Sequence, residues 1–96
     1  MTQINEIGFT EFKSIIINSA GHNQEWYFNQ SRDCYYADYR PNYPEKTAAD
    51  FTIVLDHGSA RPRFTLYQDT ATLPTIKQYS TVKSLTADLY HMKEGI

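Results

Sequence analysis

Hydrophobic positions along this chain change period twice, and the changes divide it into elements. Over residues 9–20, Phe9, Phe12, Ile16 and Ala20 recur at spacings of three, four and four, the stripe of a helix that lays one face on a core. Thr10 stands where an N-cap is expected and Gly21 where the helix would end. From Glu25 the pattern alternates, with Trp26 and Phe28 against Tyr27 and Asn29. A polar stretch from Gln30 to Asp33 suits a turn, and Cys34 to Tyr39 is β-prone again, so the two runs predict a hairpin. Arg40-Pro41-Asn42-Tyr43-Pro44 then removes two ladder donors and predicts a loop.

A second hairpin follows. Phe51 to Leu55 and Arg63 to Tyr67 alternate, and Asp56-His57-Gly58-Ser59 between them carries turn chemistry. After Asp69, Ile76, Tyr79, Val82, Leu85, Leu89 and Met92 recur every three or four residues. That spacing predicts a C-terminal helix with Pro74 in its first turn and Gly95 just beyond its end. The expected fold is therefore α+β: an antiparallel three- to four-stranded sheet with an N-terminal and a C-terminal helix packed on one face, in a single domain over 1–96. Trp26, Phe28, Phe51, Ile53, Leu55, Phe64 and Leu66 should face the helices. Tyr27, Thr52, Val54, Thr65 and Tyr67 should line the opposite, hydroxyl-rich face.

Composition narrows the function classes. With 96 residues, 41% hydrophobic and 21% charged, the chain can bury a core but is too short for a two-domain enzyme. A net charge of -2 lacks the overall basic footprint of a nucleic-acid binder. No apolar run approaches the roughly 20 residues of a membrane span or the 7–15 of a signal-peptide core, which leads us to expect no membrane association and a cytoplasmic location.

Candidate chemistry is sparse. His22, His57 and His91 sit at no metal-ligand spacing with each other or with the lone Cys34, so no metal site is expected. Asp56, His57 and Ser59 are the residue types of a nucleophilic triad, yet neighbours on one turn diverge and cannot form the relay. Ser80-Thr81-Val82-Lys83 matches the S-x-x-K pattern without its companion motifs and reads as helix. The four glycines, at 8, 21, 58 and 95, form no phosphate-binding loop. The expectation is a protein that is not an enzyme and uses no cofactor and no small-molecule substrate.

Charge and tyrosine distribution say more. Residues 1–59 carry eight acids against four bases, and residues 60–96 carry three against five. Tyr27, Tyr35, Tyr36, Tyr39 and Tyr43 interleave with Asp33 and Asp38 and precede Glu45 and Asp50. Tyrosine joins apolar area to a polar tip at low entropic cost, so such a stretch suits a recognition surface; ordinary strand content is the plainer alternative. The candidate partner-binding residues are Asp33, Tyr36, Asp38, Tyr39, Tyr43, Glu45, Asp50 and Asp56, facing a protein with a Lys/Arg-rich surface.

Asp33-Cys34-Tyr35-Tyr36-Ala37-Asp38-Tyr39, in a small, acidic, aromatic-rich chain, resembles the small phage-encoded anti-CRISPR inhibitors of the type I-F class. The resemblance covers the general character of the whole chain. It implies a viral protein that acts in the host cytoplasm, binds a CRISPR surveillance complex and blocks DNA binding without catalysis, in the manner of a DNA mimic. The charge of -2 is low for such a mimic and leaves plain surface blocking open. The alternative is an RNA-binding module of the αβββα, double-stranded-RNA-binding type, with exposed aromatics stacking on bases.

Overall fold

The computed structural model describes residues 4–21, 24–41, 43–45, 49–68 and 75–95. After a 3-10 turn, Ile4–Glu6, come α1 (Phe9–Ala20), β1 (Trp26–Gln30), β2 (Tyr35–Tyr39), β3 (Phe51–Leu55), β4 (Phe64–Gln68), β5 (Thr75–Tyr79) and α2 (Val82–Gly95). The strands form one antiparallel meander in the order β1-β2-β3-β4-β5, and both helices pack on one of its faces. The α+β class and the terminal helices agree with the sequence reading; the sheet has five strands, not three or four.

The fifth strand is the main correction. Ile76 and Tyr79 sit three residues apart, and Val82, Leu85 and Leu89 continue that spacing, so a strand and a helix together imitate one helical stripe. Residues 75–79 instead pair with β4, from Gln68↔Thr75 to Phe64↔Tyr79. The helix starts at Val82 because Thr81 caps it: its Oγ1 accepts the Ser84 N–H at 3.1 Å, and its carbonyl accepts the Leu85 N–H at 3.3 Å. Pro74, expected in the first helical turn, lies outside the described residues, and α2 includes Gly95.

At α1 the expected Thr10 cap is replaced by Gly8 in extended geometry, whose carbonyl accepts the Phe12 N–H at 2.9 Å with no side-chain cap. Gly21 ends the helix as expected. At φ 70° it occupies a conformation that side chains disfavour, and its N–H reaches the Ile17 carbonyl at 2.9 Å.

The strand pattern sorts residues as the alternation requires. Trp26, Ala37, Tyr39, Ile53, Leu55, Phe64, Leu66 and Tyr79 are buried beneath the helices with Phe12, Ile16, Leu85 and Leu89. Phe28, Tyr35 and Phe51 are partly buried against the same core. Helix α1 rests on β1, β2 and α2, while α2 rests on α1 and β5. Among the described residues, no helix or further strand covers the opposite face of the sheet.

Candidate partner-binding face of the sheet

Two cross-strand rows make up the uncovered face. One runs Tyr27, Asp38, Thr52, Tyr67, Ile76; the other runs Asn29, Tyr36, Val54, Thr65, Gln78. Five strands at about 4.8 Å spacing make a surface about 19 Å wide. Tyr27 and Tyr67 are 42% and 41% exposed, and Ile76 is 61% exposed. Tyr43, in the loop after β2, leans back over this face and meets the Tyr27 ring at 5.4 Å between centroids. Tyr27, Tyr43, Asn29, Asp38 and Arg40 border a shallow recess of about 280 Å³.

Polar groups on this face hold one another. Asp38 accepts from Arg40 Nη2 at 3.0 Å and from Thr52 Oγ1 at 2.9 Å, so its carboxylate is fixed at the centre of the β1–β3 surface. Arg63 Nη1 donates to Gln78 Oε1 at 3.1 Å across the β4–β5 side. Tyrosine and hydroxyl groups dominate the middle, and Asp38 and Arg40 form an ion pair within the face.

The structure distributes seven of the eight candidate residues over three places. Tyr36, Asp38 and Tyr43 belong to the uncovered face. Asp33 and Asp56 lie in the turns at one end of the sheet, and Glu45 and Asp50 in the connection at the other, about 15 Å away along five-residue strands. Two of these end residues carry local duties: Asp56 Oδ1 accepts the Arg63 N–H at 2.6 Å and closes the β3–β4 turn. The Asp33 carbonyl accepts the Gly58 N–H at 3.0 Å, joining that turn to the β1–β2 turn.

Tyr39 is the exception among the eight. It is 3% exposed, packed against Trp26 at 5.1 Å and Phe51 at 6.0 Å, and so lends no area to a surface. Burial pushes its hydroxyl above the ordinary tyrosine value, with the carboxylates of Glu25 and Asp50 adding to the effect. The run Tyr35-Tyr36-Ala37-Asp38-Tyr39 reads as uniformly polar-aromatic, but strand alternation sends Tyr35 and Tyr39 inward and Tyr36 and Asp38 outward. Sequence reasoning left Ile76 off this face because it assigned that residue to a helix; Arg40 and Arg63 were also left off it, although each continues the outward alternation of its strand.

His57 and Cys34 serve the turns, while His91 lies on α2. His57 stacks on Tyr35 at 4.1 Å with 20° between planes, Ser59 Oγ accepts the Arg61 N–H at 3.2 Å, and Cys34 N–H donates to Ser31 Oγ at 3.2 Å. His22 lies outside the described residues. Among the described residues, no group of three or more His, Cys, Asp or Glu side chains could hold a metal ion, and no helix is long and apolar enough to cross a membrane.

No protein-family model matches this chain, and no curated protein or solved structure matches it significantly.

Proposed function

We propose that the chain is a non-enzymatic binding protein that docks its tyrosine-lined sheet face on a basic surface of another protein. The observation that carries this reading is the arrangement of the uncovered face, with Tyr27, Tyr36, Tyr43 and Tyr67 spread across it and carboxylates at both ends of the sheet. An aromatic centre bordered by charge is the composition of a protein interface: the rings supply desolvated area, and the outlying acids steer a Lys/Arg-rich partner into place. In the form that the anti-CRISPR resemblance implies, the partner is a type I-F CRISPR surveillance complex, and occupying its basic groove excludes DNA. The tyrosines carry the contact and the acids act from the rim.

The test is binding of the purified chain to that complex, with Tyr27→Ala/Tyr67→Ala compared with wild type at low and moderate salt. Truncating a central aromatic costs about 2 kcal/mol or more, so the double variant should bind at least about 30-fold more weakly. Asp33→Asn/Asp56→Asn should chiefly slow association and flatten the salt dependence. Undiminished binding by the tyrosine variant sinks the proposal.

A second reading draws on the same rings. Tyr27, Tyr43 and Tyr67 share their face with Arg40 and Arg63, a combination on which unpaired bases can stack. The five-stranded meander departs from the αβββα order, so this reading rests on the face and no longer on that topology. Tight binding of the free chain to single-stranded RNA would favour it.

A further inference from the structure

An open sheet has two edges, and here β1 and β5 form them. The Arg40 N–H donates to the Glu25 carbonyl and the Ser31 N–H to the Cys34 carbonyl, each at 2.8 Å, which closes both ends of the β1–β2 ladder. In the register Trp26↔Tyr39 to Gln30↔Tyr35, alternation then makes Tyr27/Asp38 and Asn29/Tyr36 the hydrogen-bonded pairs. The main-chain groups of Trp26, Phe28 and Gln30 therefore point outward along the open edge. Gln30 agrees: its N–H donates at 2.8 Å to the exposed Asn29 side chain and not to the ladder. By the same logic, the Asp56 N–H bond to the Arg63 carbonyl leaves the main-chain groups of Ile76 and Gln78 pointing outward on β5.

The two edges differ in protection. On β5, Lys77 occupies a helix-side position opposite Leu66 and forms an ion pair with Asp88 of α2. A charge pointing inward on an edge strand is a common device against strand addition. β1, Trp-Tyr-Phe-Asn-Gln, carries no charge and no proline, and it pairs with β2 residue for residue without a bulge.

We propose that β1 is a self-association strand, through which two copies of this chain pair antiparallel, edge to edge, about a two-fold axis at Phe28. The neutrality of β1 makes a second copy the fitting occupant, because every contact of the strand with itself then joins uncharged residues. Positions 26, 28 and 30 are symmetric about 28, so Phe28 meets Phe28 and Trp26 meets Gln30, and each of these pairs can exchange two hydrogen bonds. Because β1 is uncharged, the axis brings no like charges into cross-strand contact. The Gln30 N–H exchanges its Asn29 partner for the second strand. The product is a ten-stranded sheet that joins two tyrosine faces side by side. This inference rests on the edge and stands whether or not the face binds the proposed partner.

The contact is small, so the dimer should be concentration-dependent, with a dissociation constant roughly between micromolar and millimolar. Sedimentation of the full chain up to about 1 mM should show the mean mass rising with concentration from that of one chain toward that of two. Over the same range amide exchange at Trp26 and Phe28 should slow, while Tyr27 and Asn29 stay protected at every concentration. Gln30→Pro removes an outward donor that the ladder of the single chain does not use, and it should weaken dimerisation at least about tenfold. In a Cys34→Ser background, Phe28→Cys should oxidise to a covalent dimer, since partners in a hydrogen-bonded pair lie about 5.5 Å apart at Cα, whereas Asn29→Cys should not. A chain that stays monomeric to about 1 mM overturns the proposal. So does a dimer that leaves the Trp26 and Phe28 amides exchanging fast, or protection of both amides at every dilution, which would mean that the chain itself covers the edge.

Discussion

Phe12 is the side chain through which α1 holds the sheet. It is fully buried, with its ring stacked on Phe64 at 6.4 Å, edge-on to Phe28 at 6.3 Å and tilted against Tyr35 at 5.7 Å. Phe12→Ala removes the ring from beneath β1, β2 and β4 at once. Core Phe→Ala changes cost about 3–5 kcal/mol, and the aromatic pairs lost here place this one toward the upper end. At roughly 0.05–0.15 kcal/mol per residue, the whole chain holds about 5–14 kcal/mol, so the variant should lose a large share of its stability. Its Tm should fall by more than about 12 °C. Phe12→Leu keeps most of the volume and should cost about 1–2 kcal/mol. Tyr90→Ala, at an exposed position on α2, should change stability by less than about 0.5 kcal/mol. Urea unfolding followed by far-UV circular dichroism reads all three, with an unchanged m-value. A loss below about 1 kcal/mol for Phe12→Ala would refute the packing of α1 described here.

Two further predictions concern pH and a turn. Hydrogen bonds from Lys77 and, at 2.6 Å, from the Tyr79 hydroxyl hold the Asp88 carboxyl below its ordinary value near 3.8, so the stability it contributes is present above that pH and is lost as pH falls through the lowered value. Burial first, and then the Asp88 carboxylate, push the Tyr79 hydroxyl well above its ordinary value near 10.0, so the chain should lose stability as pH rises beyond about 10. Asp88→Asn should flatten the acid limb of a stability-pH curve and Tyr79→Phe the alkaline limb. At Gly58, an added Cβ would stand 2.5 Å from Asp33 Oδ1 and 3.0 Å from Asp33 Cβ. Gly58→Ala should therefore cost about 1–3 kcal/mol, and Asp33→Gly should relieve much of that cost in a double-mutant cycle.

The parts of the fold legible in the sequence are those in which one period runs uninterrupted between turn residues. Helix α1 and the first four strands qualify, and their inward sets (Phe12 and Ile16, Ile53 and Leu55, Phe64 and Leu66) are buried as the pattern requires. β5 was illegible because an edge strand needs little apolar sequence, and Tyr79 stands three residues before the first apolar position of α2. The Ser80-Thr81 pair before Val82 was the available signal, since a hydroxyl cap marks a helix start. The tyrosine-rich stretch was legible as a feature but not as a surface. Pairing decides which tyrosines emerge, and it turned Tyr39 into the core while bringing Tyr67, forty residues from Tyr27, into the same row. Proximity in sequence likewise suggested one acidic patch, whereas the meander carries Asp33 and Asp56 to one end and Glu45 and Asp50 to the other.

The central claim is that the tyrosine face occupies a surface where a partner would otherwise hold nucleic acid, and order-of-addition competition tests it most directly. A type I-F surveillance complex is incubated with the chain and then offered labelled target duplex, with Tyr27→Ala/Tyr67→Ala and Tyr90→Ala as matched variants. The account predicts that wild type and Tyr90→Ala exclude the duplex and that the double variant does not. Duplex binding to a complex already saturated with the wild-type chain would contradict it.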